Sequence, residues 1–224
     1  YYNLSGVASA IGERPILGLI DPLSQAAMSI GEMVTNMMGV YIKDISKIKC
    51  SANWMWPLKY KDESASLYLT AKEMCHGLKK LGIAVDGGKD SLSMMINSDP
   101  PIKAPGSLVI TGYAPCGNIY KKLTPDLKNS GSKLLYIKFS DSINLGGSVF
   151  FRKCFNYLGT HAPIPNYDKL KLGFNIIQQY INDNKLLSLH DISDGGLITT
   201  LCEMSISSNI GMELNIPNKN LTEF

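Results

Sequence analysis

The stretch RPILGLIDPLSQAAMSIGEMVTNMMG, residues 14–39, decides the reading of the fold. Its first eight residues form an apolar run that closes on Asp21 before Pro22, and this predicts a buried strand over 14–21. Pro22 suits a helix start, because its missing N–H is not needed in the first turn. Behind it Ala27, Ile30, Met33, Val34, Met37 and Met38 recur at helical spacing, and Gly39 can end the run. A helix is therefore predicted over 23–38.

Working outward, the same alternation of strand and helix continues. Residues 45–51 predict a second strand, and 64–81 a helix with Leu67, Thr70, Met74, Leu78 and Leu81 on one face, ended by Gly82. A short strand over 83–85 leads into a glycine turn, Asp86-Gly87-Gly88, with further strands expected over 91–96 and 108–114. The expected class is α/β (α+β), built in layers. A polar segment holding Gly117, Pro125 and Gly131 reads as a boundary. It divides the chain into a first unit (1–117), a linker (118–132) and a second unit (133–224). In the second unit strands are predicted over 133–139, 186–189 and 212–216, and helices over 148–158, 167–181 and 197–207. With about 90 residues it falls below the usual domain size of ~100–150 and is expected to be truncated.

Composition narrows the function classes. An apolar fraction of 45% and a charged fraction of 18% are ordinary for a globular protein, and the net charge of +3 comes with no long basic run. Nucleic-acid binding therefore has no support. Cys50, Cys75, Cys116, Cys154 and Cys202 are odd in number and contain no C-x-x-C pair, which argues against a disulfide framework or a zinc site and suits a reducing, cytoplasmic compartment. No apolar stretch approaches the ~20 residues of a membrane span.

Three places can carry chemistry. Glu32 and Asn36 lie four apart on the first helix and share a face. They form either an ordinary polar surface or two oxygen donors for a hard cation such as Mg²⁺. His190-Asp191-Ile192-Ser193-Asp194-Gly195-Gly196 follows an expected strand and opens an expected helix. It reads either as a turn capped by an aspartate or as a phosphate-binding turn with carboxylates for the accompanying metal. His190 beside Asp191 reads as a structural hydrogen-bond partner rather than a base. Asp86-Gly87-Gly88-Lys89-Asp90-Ser91 has the flavour of a phosphate loop. The Walker spacing is not met, since Gly82 is too far upstream and Asp90 stands where Ser or Thr belongs, so it reads as a tight turn. Asn53-Trp54-Met55-Trp56 reads as aromatic packing rather than a stacking platform for bases.

Five segments, taken in order, resemble one family. They are Ile11-Gly12-Glu13-Arg14-Pro15, Ile30-Gly31-Glu32-Met33-Val34-Thr35-Asn36, Ile48-Lys49-Cys50-Ser51-Ala52-Asn53-Trp54-Met55, Gly88-Lys89-Asp90-Ser91-Leu92-Ser93-Met94 and the run His190 to Gly196. The chain resembles the large single-chain phosphoribosylformylglycinamidine synthases. It matches the second of two similar halves of their synthetase region, each half built like an aminoimidazole ribonucleotide synthetase and the two packed as a pseudo-dimer. The resemblance implies a part of an ATP-dependent ligase of de novo purine synthesis. There the amide oxygen of formylglycinamide ribonucleotide is phosphorylated, and ammonia released from glutamine displaces the phosphate. It further implies a structural nucleotide site holding ADP with Mg²⁺, with Glu32, Asn36 and Asp191 as metal ligands and Ser193 as a nucleotide contact. Asn53, Gly88, Lys89 and Ser91 would lie on the substrate or phosphate side of the catalytic site. In separate-subunit relatives the position of Lys89 is an Asn that holds metal. A protonated lysine cannot do so but can neutralise phosphate. The expected partners are these small molecules and the remaining domains of the parent chain, with no nucleic acid and no membrane. The fragment alone is expected to be inactive.

Two other readings compete. A relative in the same ATP-binding superfamily, an aminoimidazole ribonucleotide or selenophosphate synthetase, would share the architecture but carry an acid- and glycine-rich N-terminal segment absent here. A non-catalytic structural or interaction domain is the other.

Overall fold

The structure is a computed structural model and describes residues 3–215. Its framework is a four-stranded sheet in the order β1-β6-β2-β3, with β1 at Gly6–Glu13, β2 at Lys49–Met55, β3 at Ala84–Ser91 and β6 at Ser107–Cys116. β6 pairs antiparallel with both β1 and β2, whereas β2 and β3 run parallel. A two-stranded ribbon, β4 (Met95–Ile96) with β5 (Ile102–Lys103), lies apart from it. The short helix α1 (Pro15–Gly18) and the long helices α2 (Pro22–Met37) and α3 (Glu63–Leu81) complete the first region. α2 lies across β1 and β6, and α3 lies beside α2.

Sequence periodicity accounts for this layering. Asp21 caps α2, its Oδ1 accepting from the Leu23 N–H at 3.0 Å and its Oδ2 from that of Ser24 at 3.2 Å. The apolar stripe of α2 then buries Ile30, Met33, Val34 and Met37 against Leu108, Ile110 and Cys50 of the sheet. Close approach needs a bare backbone at Gly12, where a Cβ would stand 2.0 Å from the Ser29 carbonyl oxygen. The outward-facing residues of the same strands, such as Val7 and Ile11 of β1, remain exposed. One face of the sheet is covered by helices and the other is open.

After Cys116 the chain holds α4 (Val149–Phe155), α5 (Tyr167–Asn182) and α6 (Gly196–Ser208). α5 belongs energetically to the first region. Leu170, Phe174, Ile177 and Ile181 join the single core cluster, and buried Gln178 accepts from the Ile42 N–H at 2.6 Å and donates to the Met38 carbonyl at 3.0 Å.

Several expectations are corrected. Residues 14–21 form no strand: Pro15 opens α1, and the apolar run continues as a turn into α2. The strand lies just before it, over β1, hidden from periodicity because Ala8, Ala10 and Gly12 line its inner face. The strand expected over 45–51 starts later, because Asp44 caps a 3-10 turn, Ile45–Lys47, through the Ser46 N–H at 2.7 Å. The glycine turn at 86–88 is absent. Those residues continue β3 past a bulge in its pairing with β2, and a Cβ at Gly88 would lie 2.2 Å from the Ala52 carbonyl oxygen. The strand expected over 91–96 is broken up: Ser91 ends β3 opposite Met55, Ser93 makes an isolated bridge to Pro57, and Met95–Ile96 pair with β5. The strands expected over 133–139 and 186–189 are not formed, and Leu135 is 74% exposed. A strand needs a neighbour along its length, and the backbone contacts here are isolated: the Leu189 N–H donates to the Thr124 carbonyl at 3.3 Å and the Asn166 N–H to the Phe139 carbonyl at 2.6 Å, neither extending into a ladder. Residues 212–215 have no regular structure either, and Ile216, the end of that expected strand, lies outside the described residues.

Candidate functional site

The site is built where α2 meets the turn before α6. Gly12 and Gly112 let Met33 sit deep between β1 and β6, and Glu32 beside it is thereby brought to the end of β1. Its Oε2 accepts from the Glu13 N–H at 2.7 Å, and its Oε1 pairs with the Arg14 guanidinium at 2.9 Å. Partial burial pushes the Glu32 carboxyl above its usual range. The Glu13 N–H and Arg14 pull it back, while the charges of Glu13 and Asp191 push further up. One turn along α2, Asn36 donates from Nδ2 to the Ile11 carbonyl at 3.1 Å. That bond fixes its amide so that Oδ1 points elsewhere, with no donor to it among the described residues.

Asn36 and Asp191 line a common cleft with Thr35, Gly39, Leu189 and His190. Glu32 is close enough for the charge of Asp191 to act on it. The three expected ligands thus come from both regions of the chain to one neighbourhood. Among the described residues no three His, Cys, Asp or Glu side chains gather as a metal group, so a cation here would need the amide oxygen of Asn36. The donor set, two carboxylates and an amide oxygen, fits Mg²⁺ chemistry.

The turn from 190 to 196 departs from the aspartate-capped alternative. The N-cap of α6 is Gly195 in the left-handed region (φ 93°), with no side-chain cap, and Asp194 is instead drawn to Arg14 at 2.9 Å. Ser193 is exposed, and its carbonyl accepts from the Gly196 N–H at 3.1 Å. His190 lies between two carboxylates, Nδ1 at 3.3 Å from Asp191 and Nε2 at 3.3 Å from Glu203. Nδ1 is nevertheless enclosed without a hydrogen-bond partner, so the hydrogen bond expected of His190 is not formed on the Asp191 side.

The second group of expected residues lies elsewhere. Asn53 on β2 is the register partner of Lys89 on β3, and Met55 that of Ser91. Asn53 alternates with the buried Cys50 and Ala52, so it belongs to the open face of the sheet. Lys89 donates to the Ser91 hydroxyl at 2.6 Å and to the Asp90 carbonyl at 3.2 Å. Asn53, Lys89 and Ser91 therefore form one polar edge, separate from the cleft. Trp56 is buried and donates from its indole N–H to the Glu63 carbonyl at 3.1 Å, which is packing. Sequence reasoning missed Arg14, reading it as the start of a strand. A charged residue between Glu13 and Pro15, at a strand-to-helix junction, is the signal that could have marked it.

An open sheet carrying helices on one face, followed by a segment whose glycine-rich turn returns to the first long helix, defines the PurM-like class. Residues 1–115 match the FGAR-AT PurM_N-like domain, and residues 130–223 match the AIR synthase related protein, C-terminal domain. Within that class, the chain belongs to the phosphoribosylformylglycinamidine synthase family. It is 44% identical over 227 aligned residues to the phosphoribosylformylglycinamidine synthase of Dictyostelium discoideum, covering 97% of this chain and 17% of that protein. It thus spans about a sixth of the length of that curated relative. Solved structures of T. maritima PurL share the fold at 12% identity. One, complexed with FGAR, gives a TM-score of 0.64 over 92% of this chain and 32% of that one. Another, complexed with ATP, gives 0.63 over 98% and 33%. Among the described residues, no helix is long and apolar enough to cross a membrane.

Proposed function

We propose that this chain is part of the synthetase region of a phosphoribosylformylglycinamidine synthase. The parent would be a cytoplasmic, ATP-dependent ligase that converts formylglycinamide ribonucleotide to formylglycinamidine ribonucleotide with ammonia from glutamine. Within it, residues 1–117 and 133–224 act as two units joined by the 118–132 linker, and between them they hold a nucleotide with Mg²⁺. Glu32, Asn36 and Asp191 would hold the cation, which offsets phosphate charge, and Ser193 would contact the nucleotide. The observation that carries this reading is the meeting of α2 and the 190–196 turn at one cleft, with oxygen donors from both units.

Lys89, with Asn53, Gly88 and Ser91, would serve the substrate or phosphate side of the catalytic site on the open sheet face. That face is also the natural surface for the remaining domains of the parent. Phosphoryl transfer relies on positioned charge and N–H donors, and an exposed lysine at a polar strand edge suits that demand.

The experiment has two parts. Mass spectrometry of the denatured protein should find ADP or ATP carried through purification. A coupled assay with this chain alone, formylglycinamide ribonucleotide, ATP and glutamine should yield no product. Product formation would contradict the structural role given to the nucleotide. A protein that neither carries nucleotide nor takes it up with Mg²⁺ would contradict the site itself.

A further inference from the structure

Arg14 is a charged group beside the cleft, paired with Glu32 and Asp194, to which no ligand role has been given. It sits between β1 and α1 with its side chain 19% exposed. One terminal nitrogen is 2.9 Å from Glu32 Oε1 and the other 2.9 Å from Asp194 Oδ1, while Nε is enclosed without a partner. The Arg14–Asp194 contact spans 180 residues of sequence. Among the described residues it is the one ion pair that joins the sheet region to the chain beyond residue 133. We propose that Arg14 is a positioning residue that fastens the 191–196 turn to α2 and so sets the separation of Asp191 and Ser193 from Glu32 and Asn36. This rests on the nucleotide reading of the cleft given above.

Three observations support that role over a generic surface pair. The planar guanidinium presents two nitrogens in a fixed fork, and each meets a carboxylate on a different element, which the single nitrogen of lysine cannot reproduce. Asp194 is thereby withdrawn from capping α6, leaving the first turn of that helix free of any side-chain cap. Glu32 is held at both oxygens, Oε1 by Arg14 and Oε2 by the Glu13 N–H, so its carboxylate is fixed before any cation arrives. The Asp194 side is 69% exposed, and solvent screening makes such a contact a weak contributor to global stability. Its effect is therefore local, on the placement of the turn, while the buried core of α2, α3 and α5 holds the fold.

The test compares Arg14→Ala, Arg14→Lys and Asp194→Asn in the full chain by amide hydrogen exchange without nucleotide, then by calorimetric titration with ADP and Mg²⁺. Residues 191–200 should exchange roughly tenfold faster in Arg14→Ala and Asp194→Asn, with β1 and β6 unchanged, because local opening is governed locally. ADP affinity should fall about tenfold, and Asp194→Asn should cost less in the Arg14→Ala background than in wild type, as residues in one contact are non-additive. Arg14→Lys should restore only part of either effect. Unchanged exchange at 191–200 in both Arg14→Ala and Asp194→Asn would overturn the proposal. If Arg14→Ala fails to fold, Asp194→Asn alone decides. If wild type takes up no ADP with Mg²⁺, the nucleotide reading fails while exchange still decides whether Arg14 fastens the turn.

Discussion

The region from Gly6 to Cys116 and the region beyond residue 133 answer the same sequence signals differently. In the first, apolar runs find partners and become a four-stranded sheet. In the second, the equally apolar Leu134-Leu135-Tyr136-Ile137 stays outside any sheet and exposed, and residues 186–189 form no strand either, although Leu186 and Leu189 pack against the core, whereas α4, α5 and α6 all form. A helix satisfies its backbone within itself, while a strand borrows its partner from elsewhere in the chain. The difference teaches that strand signals report a capacity to pair, which only the remainder of a sheet can realise.

Breaking this comparison is easiest at α5, which comes from the second region but packs in the core of the first. Phe174→Ala removes a side chain with no solvent exposure and should cost about 3–5 kcal/mol. Denaturant unfolding checks it, and a loss under about 1 kcal/mol would show that α5 is not part of the common core.

A smaller effect is expected at the junction of the two regions. Folding raises the Glu32 carboxyl above 4.5, chiefly through burial, so the protonated form is the one folding favours. The resulting stability is fully present below about pH 4.5 and is lost as pH rises through the folded pKa. Without divalent cation or nucleotide, wild type should lose more stability between pH 4 and 7 than Glu32→Gln does, in parallel thermal melts. Superposable pH profiles would contradict the buried placement of Glu32.

The smallest effect belongs to Leu135. At 74% exposure, Leu135→Ser should change stability by no more than about 0.5 kcal/mol. A larger loss in denaturant unfolding would mean that residues 133–139 pack as a strand after all.

How much was legible follows the same division. Apart from the short α1, the helices were readable to within a few residues because their stripes and caps are local: Pro22 and Asp21 mark α2, and Gly82 in the left-handed region (φ 81°) ends α3. β1 was not readable, since a strand pressed against a helix at Gly12 has small residues where apolar ones were sought. Gly87–Gly88 looked like a turn because the bulge between β2 and β3 is a property of two strands, not of one segment. Glu32, Asn36 and Asp191 could be named from residue type and motif. The role of Arg14 needed the fold, because its two partners stand 18 and 180 residues away.

The central claim is that α2 and the 190–196 turn form one nucleotide and cation site, and thermal melts of wild type and Asp191→Asn with ADP and Mg²⁺ test it most directly. Ligand that binds only the intact folded site adds stability, so wild type should rise in Tm by several degrees at saturating ADP and Mg²⁺. The account predicts little or no rise for Asp191→Asn, with the two proteins melting alike when both ligands are absent. An equal rise in both proteins would contradict it.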